Sequence, residues 1–142
     1  MTDQSMRGFL AGLDRSGALH RVTRSVDPRF ELGAVLALRD RGPAILFENV
    51  IGGAMPVVGN ILSTRARFAE ALGVPRDGLD AVLQKALTAP VKPVLVSDAP
   101  VQEVVHDRAI DLARLLPVPT WFERETAPYI TAGVIVAKDP ET

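Results

Sequence analysis

Cysteine is absent from this 142-residue chain, which removes disulfides and thiolate metal sites from consideration. Histidine is nearly absent: His20 and His106 stand far apart with no shared spacing, too few for most metal centres. Aromatic residues are scarce, with one Trp, one Tyr and five Phe, so Val, Leu, Ile and Ala must fill most of any core. An excess of either charge is missing as well. Sixteen basic side chains face 17 acidic ones for a net of −1, and the arginines are spread along the chain. A basic face able to neutralise phosphates is therefore not expected, and nucleic acid is excluded as the main partner. No apolar run reaches the length of a membrane span, and "MTDQSMRGFL" lacks the apolar stretch of a signal peptide. With no cysteine, a reducing cytoplasm is the expected location.

What is present is a globular share of apolar residues, 47%, enough for one domain or one domain and part of a second. Met6, Phe9, Leu10 and Leu13 fall on one helical face, ended by Gly17. "ALHRVTRSVD" alternates imperfectly and is expected to be a short strand. Asp27 as N-cap and Pro28 at the first helical position predict a second helix up to Gly42. "PAILFENV" is a continuous apolar run, the pattern of a strand covered on both faces, and Pro56 to Val58 follows as another before Gly59-Asn60. Ser63 is the expected N-cap of a helix ending at Gly73, and "RDGLDAVLQKAL" predicts a further one. "VKPVLVSD" and "VQEVVHD" read as two more strands, "DLARLLP" as a short helix stopped by Pro117, and "YITAGVIVAKD" as a strong last strand. Helices interspersed with strands predict an α/β fold, an α+β mixed sheet with flanking helices. The prolines between 117 and 128 suit neither helix nor central strand, so residues 1–116 form the expected N-terminal domain and 117–128 a stiff connector. Residues 129–142 would open a new, truncated domain, because the "VIVAKDPET" arm has no return strand.

Candidate chemistry is thin. His106 and Asp107 could form a base with its orienting carboxylate, but neighbours on a strand point to opposite faces. Asp77 and Asp80 flank a helix start, where carboxylates favour the dipole. Glu123-Arg124-Glu125 lies in the proline-rich loop, a common place for ligand contacts and equally for a solvated charge run. "IGGAMPVVGN" has neither a dinucleotide nor a Walker spacing, and Ser5, Ser16, Ser25, Ser63 and Ser97 lack the nucleophile-elbow context.

Several segments taken in order nevertheless carry a likeness. "FENVIGGAMPVVGNILSTRARFAEALGV" has a strand ending in Phe-x-Asn-Val, a glycine turn, a Val-x-Gly-Asn element, and an arginine-bearing helix ending in Leu-Gly. Further on come a Pro-Val-Gln-Glu turn, an Asp-Leu…Leu-Pro-x-Pro helix stop and a Tyr-x-Thr-x-Gly strand. In these features the whole chain resembles the N-terminal region of the UbiD family of prenylated-FMN-dependent decarboxylases. The resemblance implies a longer parent with a split-barrel cofactor domain and a C-terminal oligomerisation domain. That parent would be a non-oxidative carboxy-lyase acting on an aromatic or α,β-unsaturated carboxylic acid, with prenylated FMN, Mn2+ and K+ as cofactors. It would assemble as a homo-oligomer, a dimer or hexamer. The family's metal-, phosphate- and proton-handling residues lie downstream of "DPET", so no catalytic or metal-binding residue is assigned in this chain. Thr131 alone carries over as a cofactor-pocket residue, and the chain by itself is expected to be inactive. Two alternatives stay open: a non-catalytic α/β binding or subunit module of a multi-chain enzyme, and an unrelated enzyme built on the His106–Asp107 and Glu123–Glu125 region.

Overall fold

The first helix begins where Ser5, in extended conformation, accepts the Gly8 N–H on its Oγ at 3.0 Å. This computed structural model describes residues 5–131, 133, 134, 137 and 139–141. Helix α1 (Met6–Arg15) buries Leu13 completely and stops at Gly17, whose φ of +73° only glycine takes without cost. Ala18 N–H then reaches Leu13 O at 2.8 Å, closing the terminus and aiming the chain into strand β1 (Leu19–Val26). The expected helix and strand are both found.

Strand β2 (Ala44–Val50) is the middle of a mixed sheet ordered β1-β2-β3, which accounts for its apolar run: Ala44, Ile45 and Phe47 are essentially inaccessible. It pairs parallel with β1 and antiparallel with β3 (Val57–Gly59). Between the pairs Val22↔Phe47 and Ser25↔Asn49, Thr23 and Arg24 oppose Glu48 alone, a two-against-one bulge. Asn49 fills the break: its Nδ2 donates to Thr23 O at 2.6 Å. The imperfect alternation of β1 is thus the imprint of a bulge.

Helix α2 (Glu31–Leu38) crosses from β1 to β2 and seats Leu32 and Leu36 with Val26, Ile45, Phe47 and Val50 in the core. It begins at Glu31, three residues later than the Pro28 start predicted. Asp27 turns its carboxylate to the Arg29 N–H (2.7 Å) instead, and Glu31 Oε2 accepts the Asp27 N–H (2.8 Å). Phe30 is thrown to φ +70° in a γ-turn closed by Glu31 N–H to Arg29 O at 2.9 Å, a strained state for an aromatic residue. What holds it is the downstream chain: Arg29 bridges Thr120, and Phe30 N–H donates to Thr120 O at 2.8 Å.

Helix α3 (Arg65–Ala71) is capped by Thr64 rather than by the expected Ser63; Thr64 Oγ1 accepts the Arg67 N–H at 3.2 Å. A 3-10 turn (Arg76–Gly78) leads into α4 (Leu79–Thr88), and the short helix expected in "DLARLLP" forms as α5 (Leu112–Leu115), capped by Asp111.

The two strands expected in "VKPVLVSD" and "VQEVVHD" are not formed. Residues 90–110 hold a short 3-10 turn (Pro100–Gln102) and otherwise no regular structure. A strand needs a neighbour's backbone to bond to, and Pro90, Pro93 and Pro100 remove three of the segment's own donors. The last predicted strand is likewise unpaired where it is described: Tyr129, Ile130, Gly133 and Val134 are irregular and Thr131 lies in a turn. Ala132, Ile135, Val136 and Lys138 of that stretch lie outside the described residues.

Candidate functional site

Three of the segments that carry the family likeness turn out to be framework. Asn60, at φ +55°, follows β3 and donates from Nδ2 to Leu36 O (2.9 Å) and Arg39 O (3.2 Å), closing the C-terminus of α2. Arg67 reaches from α3 into the same corner. Its guanidinium donates to Asn60 O (2.5 Å), Gly42 O (2.6 Å) and Ser63 Oγ (3.2 Å). Gly59 lets the strand pass this corner, since a Cβ there would stand 2.5 Å from both methyls of Leu36. Val-x-Gly-Asn and the following arginine therefore lock α2, β3 and α3 together.

The connector is a docked strap. Pro119 is buried, and Trp121 packs against the core cluster. Glycines clear its path: a Cβ on Gly33 would come 3.1 Å from Trp121 O, and one on Gly53 would come 2.7 Å from Pro117 Cβ. Glu125, half of the suspected acidic pair, accepts the N–H groups of Trp121 (2.7 Å) and Phe122 (3.3 Å) and so shapes the turn. Trp121 Nε1 donates to Tyr129 O at 2.9 Å and Tyr129 N–H to Pro119 O at 3.0 Å. Of the two aromatics at the connector, Trp121 anchors it and Phe122 is 68% exposed.

A polar cleft of about 350 Å³ opens where β1 and β2 end, lined by Ser25, Glu48, Asn49 and the Ile51–Pro56 turn. Strand C-termini are where ligands gather in parallel sheets. Its one carboxylate is already engaged: Arg21 grips Glu48 at 2.6 Å and Asp14 at 2.7 Å. The hydrogen bond from Arg21 holds Asp14 below the usual carboxylate range, while Asp14 and then Glu48 push the guanidinium further toward its charged form. Asn49 is spent on the bulge, so the cleft offers no nucleophile paired with a base. A second hollow follows the strap from Arg124 to Tyr129.

The other sequence candidates are dispersed. His20 lies exposed on β1, and His106 and Asp107 lie exposed in the irregular stretch. Asp80 pairs with Arg65 at 2.6 Å, which lowers its pKa, and ties α4 to α3; Asp77 and Glu123 are exposed. Thr131 is exposed in its turn. Among the described residues no three His, Cys, Asp or Glu side chains converge, so the donor set for a divalent cation is not found among them. Lining the two hollows, Arg124 is the one cation, beside Ala127, Pro128 and Tyr129, so these described residues would offer a flavin phosphate a single arginine. None of the helices among the described residues is long and apolar enough to cross a membrane. Sequence reading missed the structural roles of Asn60, Arg67 and Glu125, for which the signal was weak: each role depends on partners at least three residues away, in two cases across different elements.

A mixed sheet flanked by helices matches the fold of UbiD-class enzymes over this region. The chain belongs to the UbiD family: residues 10–87 match the 3-octaprenyl-4-hydroxybenzoate carboxy-lyase N-terminal domain and residues 92–142 match the Rift-related domain of the same enzymes. Its structure is similar to an evolved dimeric form of the UbiD-class enzyme HmfF from Pelotomaculum thermopropionicum in complex with prFMN. There the TM-score is 0.92 at 40% identity, over 99% of this chain and 33% of that one. It is also similar to vanillic acid decarboxylase from Sedimentibacter hydroxybenzoicus in open form, with a TM-score of 0.84 at 29% identity over 100% of this chain and 33% of that one. A curated relative, the uncharacterized protein in the cooM 5' region of Rhodospirillum rubrum, is 38% identical over 135 residues, 92% of this chain and 29% of that protein. The chain thus spans about a third of the length of these relatives.

Proposed function

We propose that this chain is the N-terminal part of a UbiD-like decarboxylase that removes CO2 from an aromatic or α,β-unsaturated carboxylic acid with prenylated FMN. The observation that carries the reading is the likeness, over nearly the whole chain, to an HmfF structure holding prFMN. The cofactor supplies the bond-breaking chemistry, and the protein supplies orientation and a proton donor. In this reading residues 1–116 are the N-terminal domain, 117–128 the strap and 129–142 the opening of the cofactor domain. Thr131 stands at the edge of the cofactor pocket, and the Mn2+, the K+ and the proton-handling residues belong to the following two thirds, so the chain alone is inactive. The active protein is a cytoplasmic homo-oligomer. The test is CO2 release from a panel of aryl and acrylic acids by the natural-length gene product supplied with prenylated FMN. Release from at least one acid supports the reading, and no release from any overturns it.

A second reading is a subunit module without catalysis of its own. It is favoured by the likeness to a vanillic acid decarboxylase whose structure combines more than one kind of chain. Sequencing past the codon for Thr142 separates the two: the first reading requires a coding continuation with the barrel strands, and the second requires a stop.

A further inference from the structure

The backbone groups of residues 28–30 have two competing uses. Asp27 already takes the N-cap posture for a helix starting at Pro28: its Oδ1 accepts the Arg29 N–H at 2.7 Å. In that helix Pro28 O would accept the Leu32 N–H. The strap captures it instead. Thr120 N–H donates to Pro28 O at 3.1 Å, and Leu32 N–H falls back on Asp27 O at 3.2 Å, one residue further than an α-helical bond reaches. Thr120 O in turn accepts the Phe30 N–H at 2.8 Å. Phe30 has φ +70° and ψ −41°, so its ψ is already that of a helix, about −42°, and its φ alone is out of place. An aromatic residue keeps such a φ only while its surroundings compel it. Trp121, next after Thr120, seats the strap so closely that a Cβ on Gly33 would meet its O at 3.1 Å and its Cε3 at 3.2 Å.

We propose that the start of α2 is a two-state latch worked by the strap. With the strap seated, Thr120 holds residues 28–30 in the strained turn. With the strap released, Phe30 turns to negative φ and Leu32 N–H passes from Asp27 O to Pro28 O. Glu31 N–H passes from Arg29 O to Asp27 O in the same movement, and α2 gains a first turn with Pro28 at its head and Asp27 as its cap. Leu32 and Leu36 stay in the core in both states. The strain at Phe30 opposes seating and the packing of Trp121 against the core favours it, so the two set the balance between them. α2 lies in the segment matched to the N-terminal domain and the strap in the segment matched to the Rift-related domain. The latch therefore converts the seating of one segment on the other into the length of a core helix.

The test is NMR of the 142-residue chain, reading amide exchange and Cα chemical shifts, with unchanged exchange at Ile45 and Phe47 as the sign that the core is intact. Gly33→Ala pushes a methyl against Trp121, and Trp121→Ala removes the anchor itself. In both, the Thr120 and Tyr129 amides are expected to exchange at least about tenfold faster than in wild type. The Cα shifts of Arg29 and Phe30 should move to helical values while the Leu32 amide stays protected. A second pair isolates the backbone, because Phe30→Gly and Phe30→Ala both remove the ring. Glycine accepts φ +70° and resists the helix, and alanine does the reverse. The Thr120 amide should therefore exchange about tenfold more slowly in Phe30→Gly than in Phe30→Ala. A freed strap that leaves Arg29 and Phe30 at coil shifts, or exposes Leu32 with them, overturns the latch and makes the turn a passive joint. Equal exchange at Thr120 in the glycine and alanine variants overturns it as well.

Discussion

Replacing Arg67 by Ala removes the guanidinium that ties α2, β3 and α3 into one corner. The two short bonds it makes, to Asn60 O at 2.5 Å and Gly42 O at 2.6 Å, are charge-assisted. Bonds of that kind contribute about 1.5–3 kcal/mol each, or roughly 3–6 kcal/mol for the pair. The corner is half-buried, so the freed carbonyls recover some water and about half of that sum remains, an expected loss of about 1.5–3 kcal/mol. Against a total of about 5–15 kcal/mol for a domain, that is a large fraction. Arg67→Lys keeps the charge but reaches one carbonyl at a time, and should recover about half of the loss. The assay is urea unfolding followed by Trp121 fluorescence, the chain's one tryptophan, with circular dichroism as a second probe. A midpoint for Arg67→Ala within about 0.5 kcal/mol of wild type, at unchanged slope, would refute the claim that this motif residue is framework.

Gly59→Ala drives a methyl into Leu36, which is itself packed in the core, and is expected to cost about 1–3 kcal/mol by the same urea assay. The acid limb of stability follows from three depressed carboxyls. Asp14 is lowered by its bond from Arg21, Glu31 by the Asp27 N–H and then Arg24, and Asp80 by Arg65. A folded pKa below the unfolded one contributes stability that is complete above the unfolded value, near 4, and is lost as pH falls through the folded value. All three are solvent-exposed, so the effect is small and screened by salt. Arg21→Ala and Arg65→Ala should each flatten the fall in the urea midpoint between about pH 5 and pH 2, and 1 M NaCl should do the same to the wild type.

The sheet and most helices were legible because their signals are local. Gly17 and Gly73 end helices by a positive φ, and the run from Ala44 to Val50 announces a strand buried on both faces. The start of α2 was misplaced because Asp27-Pro28 is an equally good turn, and Thr120, ninety residues downstream, decides between them by pairing with Arg29 and Phe30. The strands expected near Val94 and Val104 are not formed, because strand formation depends on a partner backbone, which the described residues do not provide. The site was legible mainly as a resemblance. Asn49, Asn60 and Arg67 are polar residues whose hydrogen-bond partners lie across the fold, and nothing in their own neighbourhood says whether they serve chemistry or framework.

The central claim is that this chain holds the scaffold and the following two thirds hold the chemistry. Flavin absorbance retained after desalting tests it most directly, with the 142-residue chain and the natural-length product each incubated with prenylated FMN. The account predicts stoichiometric flavin on the long protein and none on the short one. Stoichiometric flavin on the short chain would contradict it.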